Sequence, residues 1–255
     1  MITRPQLAEQ FSALGLPKGA SVLVHSSLKS LGLVEGGAEA VVEALYDAVG
    51  PTGTVMVPNL PFRGTLTAYL EPAPTFDVRS TPSQMGAITE ALRLRPDAKR
   101  SLHSSHSVAA VGALRDLMTA DHEKCDVTCG RFSAYYRNAH RPESFILMIG
   151  ATLNSMTTFH SVEETCELPY LFSGKVYTST VLDYEGRRLT IRTRGYNDGV
   201  ARAFTRPEPT LLAEGLMKIA KVGEAECRLM DARGTFECVE RMVRRDPNAL
   251  LEPKA

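Results

Sequence analysis

A polar segment at residues 100–112, with the sequence RSLHSSHSVAAVG, concentrates side chains that can do chemistry. It holds one arginine, four serines and two histidines ahead of a short apolar run. Arginine can contact an anion, serine hydroxyls are short hydrogen-bond donors, and histidine titrates near neutral pH. The same residues also fit a polar loop that enters a buried strand, with His103 or His106 simply hydrogen-bonded inside the protein. The segment alone leaves both interpretations open.

A second cluster lies at residues 157–167, with the sequence TTFHSVEETCE. If Thr157 caps a helix, four ionisable side chains share one face near the beginning of that helix, namely His160, Glu163, Glu164 and Glu167. Carboxylates beside an imidazole hold it in place for proton transfer, and they form an anionic pocket for a cationic substrate. The alternative is a solvated acidic face that happens to include a histidine.

Strand and helix patterns earlier in the chain indicate how these clusters are positioned. They predict a helix at residues 5–14, a strand at 21–25, a helix at 38–49 and a strand at 54–57. A strand, a helix and a strand at this spacing indicate a right-handed βαβ unit with parallel strands. The serine- and glycine-rich loop after the first strand therefore opens at the carboxyl edge of the sheet, where open α/β sheets bind ligands.

The middle of the chain contains a long stretch without periodicity, residues 59–81, which predicts a lid, a binding loop or a disordered segment. The sequence Thr-Pro-Ser-Gln at residues 81–84 fits a capping box, so we expect a helix from there to about residue 94. Further on, we expect a strand at 107–111, a helix at 113–120 and a strand at 145–149. The last of these is fully apolar, as is typical of the centre of a covered sheet.

The final third has a different pattern. Residues 175–194 alternate with period two around a Tyr-Glu-Gly turn, which predicts an antiparallel hairpin. A helix at 211–221, a strand at 227–230 and a helix at 236–245 are expected to follow. No linker divides the chain, so we predict one domain over residues 1–255, in which the hairpin region at about 170–200 is a candidate subdomain.

Composition excludes several classes of protein. The 29 basic residues balance 29 acidic ones, so there is no electrostatic argument for binding nucleic acid or an acidic membrane surface. Five scattered cysteines favour reduced thiols, and no signal sequence or membrane-spanning run is evident, so we expect a cytoplasmic protein. Motifs for a triphosphate loop, a dinucleotide fold, a nucleophile elbow and a zinc helix are lacking. Cys125, Cys129 and His122 are poorly spaced for a metal, so no metal is expected.

Four segments, taken in order, resemble the aminoglycoside 3-N-acetyltransferase family. They are VLVHSSLKSLG with the GPTGTVMVP that follows it, FDVRSTPSQMGAITEALR, RSLHSSHSVAAVG and TTFHSVEE. The resemblance extends over about residues 15–164 and is faint beyond Leu168. One departure is Ser104, which stands where the family usually has a proline after the first histidine of its RSxHP segment.

The resemblance implies an α/β fold with three layers, α/β/α, around a central mixed sheet, with the antiparallel hairpin region near the C-terminus. It also implies transfer of an acetyl group from acetyl-CoA to an amine, in a fold other than that of the GNAT acetyltransferases. The family's catalytic histidine corresponds to His160, paired with Glu163. The positions that hold the pantetheine arm and phosphates of acetyl-CoA correspond to Ser26, Ser27, Leu28, Ser30, Arg100, Ser101, His103, Ser105, Ser107 and Val108.

The chemistry of the residues agrees with this assignment. A protonated amine cannot attack a thioester, so an amine acetyltransferase needs a general base poised near the working pH, and a histidine suits this role. His25, at the end of the first strand, is either a donor to the oxyanion or leaving thiolate, or a structural histidine. Asp77, Glu164 and Glu167 are the expected contacts for a cationic aminoglycoside.

Several alternatives remain open at this point. The amine could belong to another amino sugar, a nucleotide or another natural product, because the balanced charge gives no support to a polycation. A non-catalytic CoA-binding protein is a rival from another class, and a hydrolase that uses His160 with Ser155 or Ser161 is a third. The small-molecule amine and acetyl-CoA are the only expected partners, and the chain is expected to be a monomer or a homodimer.

Overall fold

The computed structural model describes residues 1–253, and its framework is a seven-stranded mixed sheet. The strands are β1 Ser21–Ser26, β2 Thr54–Pro58, β3 Thr75–Asp77, β4 Lys99–Arg100, β5 Val108–Gly112, β6 Ser144–Ile149, β7 Phe172–Leu182, β8 Arg188–Tyr196, β9 Met217–Val222 and β10 Ala225–Asp231. The helices are α1 Arg4–Leu14, α2 Gly37–Val49, α3 Leu66–Leu70, α4 Ala87–Arg93, α5 Arg115–Thr119, α6 Ala134–Ala139, α7 Thr158–Thr165, α8 Glu208–Ala213 and α9 Ala232–Arg245. None of the helices within residues 1–253 has the length and apolar character needed to cross a membrane.

The large sheet has the strand order β4-β5-β2-β1-β6-β10-β9. Strand β1 is parallel to β2 and to β6, whereas β5 and β10 run antiparallel to their neighbours. The predicted βαβ unit of β1, α2 and β2 is therefore confirmed, and so is the prediction of a mixed sheet. The apolar strand β6 lies beside β1 inside the sheet, where its hydrogen-bonding edges are both occupied.

Alternation along the strands builds a core on each face of the sheet. In β1, Val22 and Val24 face one cluster, which includes Leu45 of α2, and Leu23 faces the other, which includes Tyr135 of α6. Successive side chains of a strand point to opposite faces. His25 therefore faces the same side as Leu23, which is the side covered by α6 and α7. The predicted three-layer α/β/α arrangement is confirmed.

The predicted hairpin is confirmed and forms part of a second sheet. Strands β7 and β8 pair antiparallel, and β3 pairs parallel with β7 to complete a three-stranded sheet in the order β3-β7-β8. Residues 59–81, which have no periodicity in the sequence, contain α3 and β3, and the first part of this stretch lines the cavity described below. Thr65 caps α3 by accepting a hydrogen bond from the backbone of Ala68, and β3 depends on a partner strand about a hundred residues later.

The predicted capping box at residues 81–84 is also wrong. Helix α4 begins at Ala87, after Gly86, whose φ of 109° is a conformation that favours glycine. Thr81 instead closes a turn, since its hydroxyl accepts from the backbone N–H of Asp77 at 2.8 Å. The backbone N–H of Ser83 is satisfied by the carboxylate of Glu90, one turn inside the helix.

The predicted helix at residues 211–221 is only partly present. Helix α8 ends at Ala213, and Gly215, with a φ of 69°, turns the chain back. The next residues form β9, which pairs antiparallel with β10 at the edge of the large sheet. Pairing with a neighbouring strand outweighs the weak local preference of this segment for helix.

Candidate active site

A cavity of about 460 Å³ lies between the loop after β2, the segment that leads into α7 and the chain that follows β8. His160 is on its wall, together with groups from distant parts of the chain. The polar and aromatic side chains that line it include His106, Thr157, Tyr196, Asp198, Arg202 and Phe204. The cavity therefore combines the second predicted cluster with the first, through His106, and with the C-terminal third.

His160 and Glu163 lie one turn apart on α7 and are hydrogen-bonded, with 2.7 Å between Nδ1 and Oε2. The Glu163 side chain is fully buried, and Arg202 Nε contacts its other oxygen at 2.9 Å. Burial alone would raise the pKa of Glu163, but the hydrogen bond from His160 and the guanidinium of Arg202 hold that pKa below its usual value. Glu163 is therefore an ionised carboxylate at neutral pH.

This ion pair decides which nitrogen of His160 carries a proton. An ionised carboxylate can only accept, so Nδ1 of His160 donates to it and the lone pair of the neutral ring is on Nε2. The side chain keeps 20 % of its surface exposed on the cavity wall. The rings of Tyr196 and Phe204, each 5.1 Å from the imidazole between centroids, hold it in orientation. His160 is thus arranged as a proton acceptor towards the cavity.

The carboxylate of Glu164 is buried and forms hydrogen bonds with other groups of the protein. It accepts from the backbone N–H groups of Thr128 and Cys129, from the hydroxyl of Thr128 and, at 2.6 Å, from the hydroxyl of Tyr196. Burial raises the pKa of Glu164 in spite of these bonds. The network fixes Tyr196, which in turn contacts His160.

None of the carboxylates predicted to bind substrate lies on the wall of the cavity that holds His160, and Glu164 and Glu167 line a separate cavity of about 460 Å³. Glu167 lies beyond the last turn of α7 and faces Arg194 at 3.4 Å, and Asp77 accepts from the backbone of Arg79 in a turn. Thr157 precedes α7 without a side-chain cap. The carboxylate on the wall is that of Asp198, which the sequence analysis missed. The Asn-Asp-Gly turn after the hairpin was the only local signal for it.

A smaller cavity, of about 160 Å³, adjoins the first and shares Met85, Ser155 and Thr157 with it. His25 and Ser26, at the carboxyl end of β1, lie on its wall. His25 Nε2 and Ser26 Oγ are buried and have no hydrogen-bond partner among residues 1–253. Burial lowers the pKa of His25 to about 4, so its ring is neutral at physiological pH. Two unpaired buried polar atoms that border one cavity indicate a place for a polar ligand group.

The loop after β1 forms a compact turn next to this smaller cavity. A short 3-10 helix spans Leu28–Leu31, and the hydroxyl of Ser30 donates to the carbonyl of Ser27 at 2.7 Å. The backbone N–H of Ser27 donates to the carbonyl of Ile149, which ties the loop to β6. The predicted cofactor loop therefore lies at the carboxyl edge of the sheet, as the βαβ unit predicts.

The predicted anion contact, Arg100, is buried and its donors reach protein oxygens. Its guanidinium donates to the hydroxyl of Ser107 and to the carbonyls of Asn59 and Thr81, and it stacks on Phe76 at 4.3 Å. Burial lowers the pKa of Arg100 to about 9. The other predicted cofactor residues of this segment are also buried, namely Ser101, His103, Ser105, Ser107 and Val108. Of the two histidines in this segment, His106 reaches the cavity wall.

Within residues 1–253, no three histidine, cysteine or acidic side chains are grouped so that they could hold a metal ion. Five of the wall residues that the sequence motifs did not assign to the site are His106, Tyr196, Asp198, Arg202 and Phe204. Four of the five follow residue 168, where motif resemblance is faint.

Comparison with known proteins agrees with the motifs. The model of the family described as aminoglycoside 3-N-acetyltransferase matches residues 23–244. Aminoglycoside N(3)-acetyltransferase III of Salmonella sp is 34 % identical over 261 residues, which cover 91 % of this chain and 88 % of that protein. The crystal structure of aminoglycoside acetyltransferase AAC(3)-Xa is 29 % identical, covers 98 % of this chain and 94 % of that one, and superposes with a TM-score of 0.80. AAC-VIa bound to sisomicin is 27 % identical, with coverage of 96 % and 98 % and a TM-score of 0.79.

Proposed function

Because the chain belongs to the aminoglycoside 3-N-acetyltransferase family, we propose that it transfers the acetyl group of acetyl-CoA to the 3-amino group of an aminoglycoside, with His160 as general base. The observation that carries this proposal is the His160–Glu163 pair on the wall of the larger cavity. A protein that only bound CoA would have no need of a buried carboxylate that sets the tautomer of an imidazole.

His160 takes the proton and Glu163 stabilises the charge that results. As the amine nitrogen forms a bond to the carbonyl carbon, Nε2 of His160 accepts a proton from that nitrogen. The imidazolium lies against the Glu163 carboxylate, and Arg202 keeps that carboxylate ionised. The carbon–sulfur bond then breaks, and His160 returns the proton to the leaving thiolate. No acyl-enzyme is required, in keeping with the missing nucleophile elbow.

His25 and Ser26 fit the thioester end of acetyl-CoA, which supplies the electrophilic carbonyl. Their unpaired Nε2 and Oγ atoms are buried at the smaller cavity, which joins the one that holds His160. A neutral imidazole protonated on Nε2 can donate to an oxyanion, as can a serine hydroxyl. A preorganised donor of this kind is worth on the order of 10²–10³ in rate. In this arrangement, the turn at Ser27 and Ser30 lies beside the pantetheine arm of acetyl-CoA.

Asp198 is the group on the cavity wall that suits a cationic substrate. It is exposed, whereas the charge of Arg202 is matched by Glu163. Among the lining residues of the larger cavity, however, Asp198 is the one carboxylate, and a polycation gains most from several. This observation favours a second candidate substrate, an amino sugar or another natural-product amine that carries fewer positive charges.

Release of the CoA thiol in the presence of candidate amines tests the proposal. The panel contains aminoglycosides with a free 3-amino group, simple amino sugars and simple alkyl amines. We expect release with the aminoglycosides and acetylation at the 3-amino position, identified by mass spectrometry and NMR. Release with amino sugars alone would select the second candidate, and no release with any amine would overturn the proposal.

The role of His160 is tested separately with His160→Ala. Loss of a general base typically lowers the rate by about 10²–10⁴-fold, while CoA binding, measured by calorimetry, is expected to stay within about twofold because His160 lies in the other cavity. His140→Ala is the matched control, because His140 is exposed and is not among the lining residues of either cavity. Undiminished turnover in His160→Ala would remove His160 as the base.

A further inference from the structure

His106 is a second imidazole on the wall of the larger cavity, and the proposed mechanism leaves it without a role. Its ring faces that of His160 with 6.4 Å between centroids and the two planes perpendicular. The ring of Phe62 also packs against it, with 5.9 Å between centroids. The residue is 5 % exposed, so it has a fixed position rather than a mobile surface one.

A short chain of hydrogen bonds behind His106 sets the position of its proton. The Nδ1 atom of His103 lies 3.2 Å from the backbone N–H of His106 and 3.4 Å from that of Ser105, so Nδ1 of His103 is an acceptor. The hydroxyl of Ser105, at 3.3 Å, then donates to the same atom. The hydroxyl oxygen is left to accept from Nδ1 of His106 at 3.0 Å. This is the assignment in which every contact joins a donor to an acceptor.

The consequence is a lone pair on Nε2 of His106, since the hydrogen bond that the ring makes within the described chain is at Nδ1. Burial, followed by the charges of His160 and His122, keeps the pKa of His106 well below its ordinary value. His106 therefore remains an acceptor even after His160 has taken a proton. The cavity thus contains two imidazole lone pairs with different roles. That of His160 takes up a proton, whereas that of His106 only accepts a hydrogen bond.

We propose that Nε2 of His106 accepts one N–H of the attacking nitrogen while His160 accepts the other, so that the enzyme selects primary amines and rejects N-methylated ones. This inference rests on the proposed function and specifies its substrate. A neutral primary amine has two N–H groups and one lone pair. With the two N–H groups held by imidazoles, the lone pair is left for the carbonyl carbon of the thioester.

The spacing of the rings agrees with one nitrogen held between them. A nitrogen atom about 2.9 Å from both Nε2 atoms lies about 4 Å from each ring centre. Two such lines that meet at a tetrahedral angle span about 6.5 Å. The observed centroid distance of 6.4 Å between His106 and His160 matches this value.

The reaction of a secondary amine would lack one of these contacts. An N-methyl amine has a single N–H, so it leaves either the base or the buried His106 acceptor without a partner. A site built to hydrogen-bond a substrate group discriminates strongly against the analogue that lacks it. We expect kcat/KM to fall by about 10- to 100-fold on methylation of the nitrogen, the scale of one lost hydrogen bond at a buried acceptor.

The experiment compares an aminoglycoside whose 3-amino group is primary with its 3-N-methyl derivative, for the wild-type protein, His106→Phe and His106→Gln. Phenylalanine keeps an aromatic ring against Phe62 and removes the acceptor, whereas glutamine keeps an acceptor oxygen. In His106→Phe we expect kcat/KM for the primary amine to fall by about 10- to 100-fold. We expect kcat/KM for the methylated amine to stay unchanged. His106→Gln is expected to retain discrimination, and His140→Phe serves as the matched control.

Each outcome of this experiment either supports or overturns the inference. A wild-type protein that acetylates both amines equally overturns the inference without any variant, and so does His106→Phe with unchanged turnover of the primary amine. If kcat/KM of His106→Phe rises for the methylated amine alone, His106 excludes that amine sterically, and this result would also overturn the inference. These results leave the proposed function intact, whereas a wild-type protein that releases no CoA thiol with any amine overturns both.

Discussion

Arg100 is 3 % exposed, and its guanidinium donates to protein oxygens from three different segments. From the sequence, an arginine beside several serines predicted a contact to a phosphate. The same donors that suit a phosphate also suit backbone carbonyls, and the residue types do not distinguish the two. The acceptors at Asn59 and Thr81 lie on loops whose position depends on tertiary packing. Such a use of an arginine is invisible to local pattern.

Arg100→Met is therefore expected to lower the free energy of unfolding by about 2–4 kcal/mol, because it leaves buried carbonyl and hydroxyl groups unpaired. The measurement is urea unfolding followed by circular dichroism, together with the KM for acetyl-CoA, which we expect to change by less than about twofold because the residue is not on either cavity wall. Arg233→Met is the control, since Arg233 is 60 % exposed in a surface ion pair. A tenfold rise in KM with unchanged stability would show that Arg100 binds phosphate after all.

At the scale of elements, the helices and strands with long periodic sequence patterns were predicted correctly, whereas some of the short ones were not. The βαβ unit of β1, α2 and β2 has strong periodicity and clear stop signals, and it was predicted with its parallel pairing. Strand β3 is three residues long and exists through its pairing with β7, so nothing local could reveal it. Strand β9 is similar, because its partner β10 and the turn at Gly215 override a pattern that also fits a helix.

Gly150 links two elements of the site and makes a testable prediction. It follows β6 with a φ of 58°, and a Cβ at this position would lie 1.8 Å from Oγ and 2.2 Å from Cβ of Ser30. Gly150→Ala must therefore displace the turn that borders the smaller cavity. We expect KM for acetyl-CoA to rise by about tenfold, equivalent to about 1.4 kcal/mol of lost binding.

Gly186→Ala is a matched control for this prediction. Gly186 has a φ of 79° in the hairpin turn, but a Cβ there would meet nothing within 4 Å. Both variants carry the strain of a left-handed conformation, about 1 kcal/mol, which is measured by urea unfolding. Only Gly150→Ala is expected to change KM. Equal KM values for the two variants would show that the Ser27–Ser30 turn does not contact acetyl-CoA.

At the scale of the whole molecule, the polar groups of the site come from four separate parts of the chain. His25 is the second-last residue of β1, His106 precedes β5, His160 is on α7, and Asp198 and Arg202 follow β8 of the second sheet. The first three come from segments whose motifs and position at strand ends could be recognised in the sequence. The last two reach the cavity because the hairpin forms a sheet with β3. A turn with no periodic pattern carries no signal of where it lies.

Assembly of the site also buries four histidines, and this predicts how stability depends on pH. Burial lowers the pKa of His25 and His122 to about 4, and it holds the pKa values of His103 and His106 well below 6.5. In the unfolded chain each would titrate near 6.5. Between pH 6.5 and about 4 the unfolded chain thus binds more protons than the folded one, so the free energy of unfolding falls as pH decreases. Above pH 6.5 these histidines contribute no pH dependence.

The expected size of the effect makes acid unfolding a sharp test of these buried positions. Four protons correspond to a slope of at most about 5 kcal/mol per pH unit, and raised protonation of Glu164 in the folded state offsets at most one of them. Urea unfolding at pH 7.5, 6.5, 5.5 and 4.5 measures the slope. His122→Gln keeps hydrogen-bonding groups near Ser101 and Thr128 but does not titrate, so it should reduce the proton uptake by about one. His140→Gln, at an exposed position, should leave the proton uptake unchanged.

A free energy of unfolding that stays constant down to pH 4.5 would mean that these imidazoles are not buried as neutral groups. The tautomers assigned to His103 and His106 would then be wrong as well.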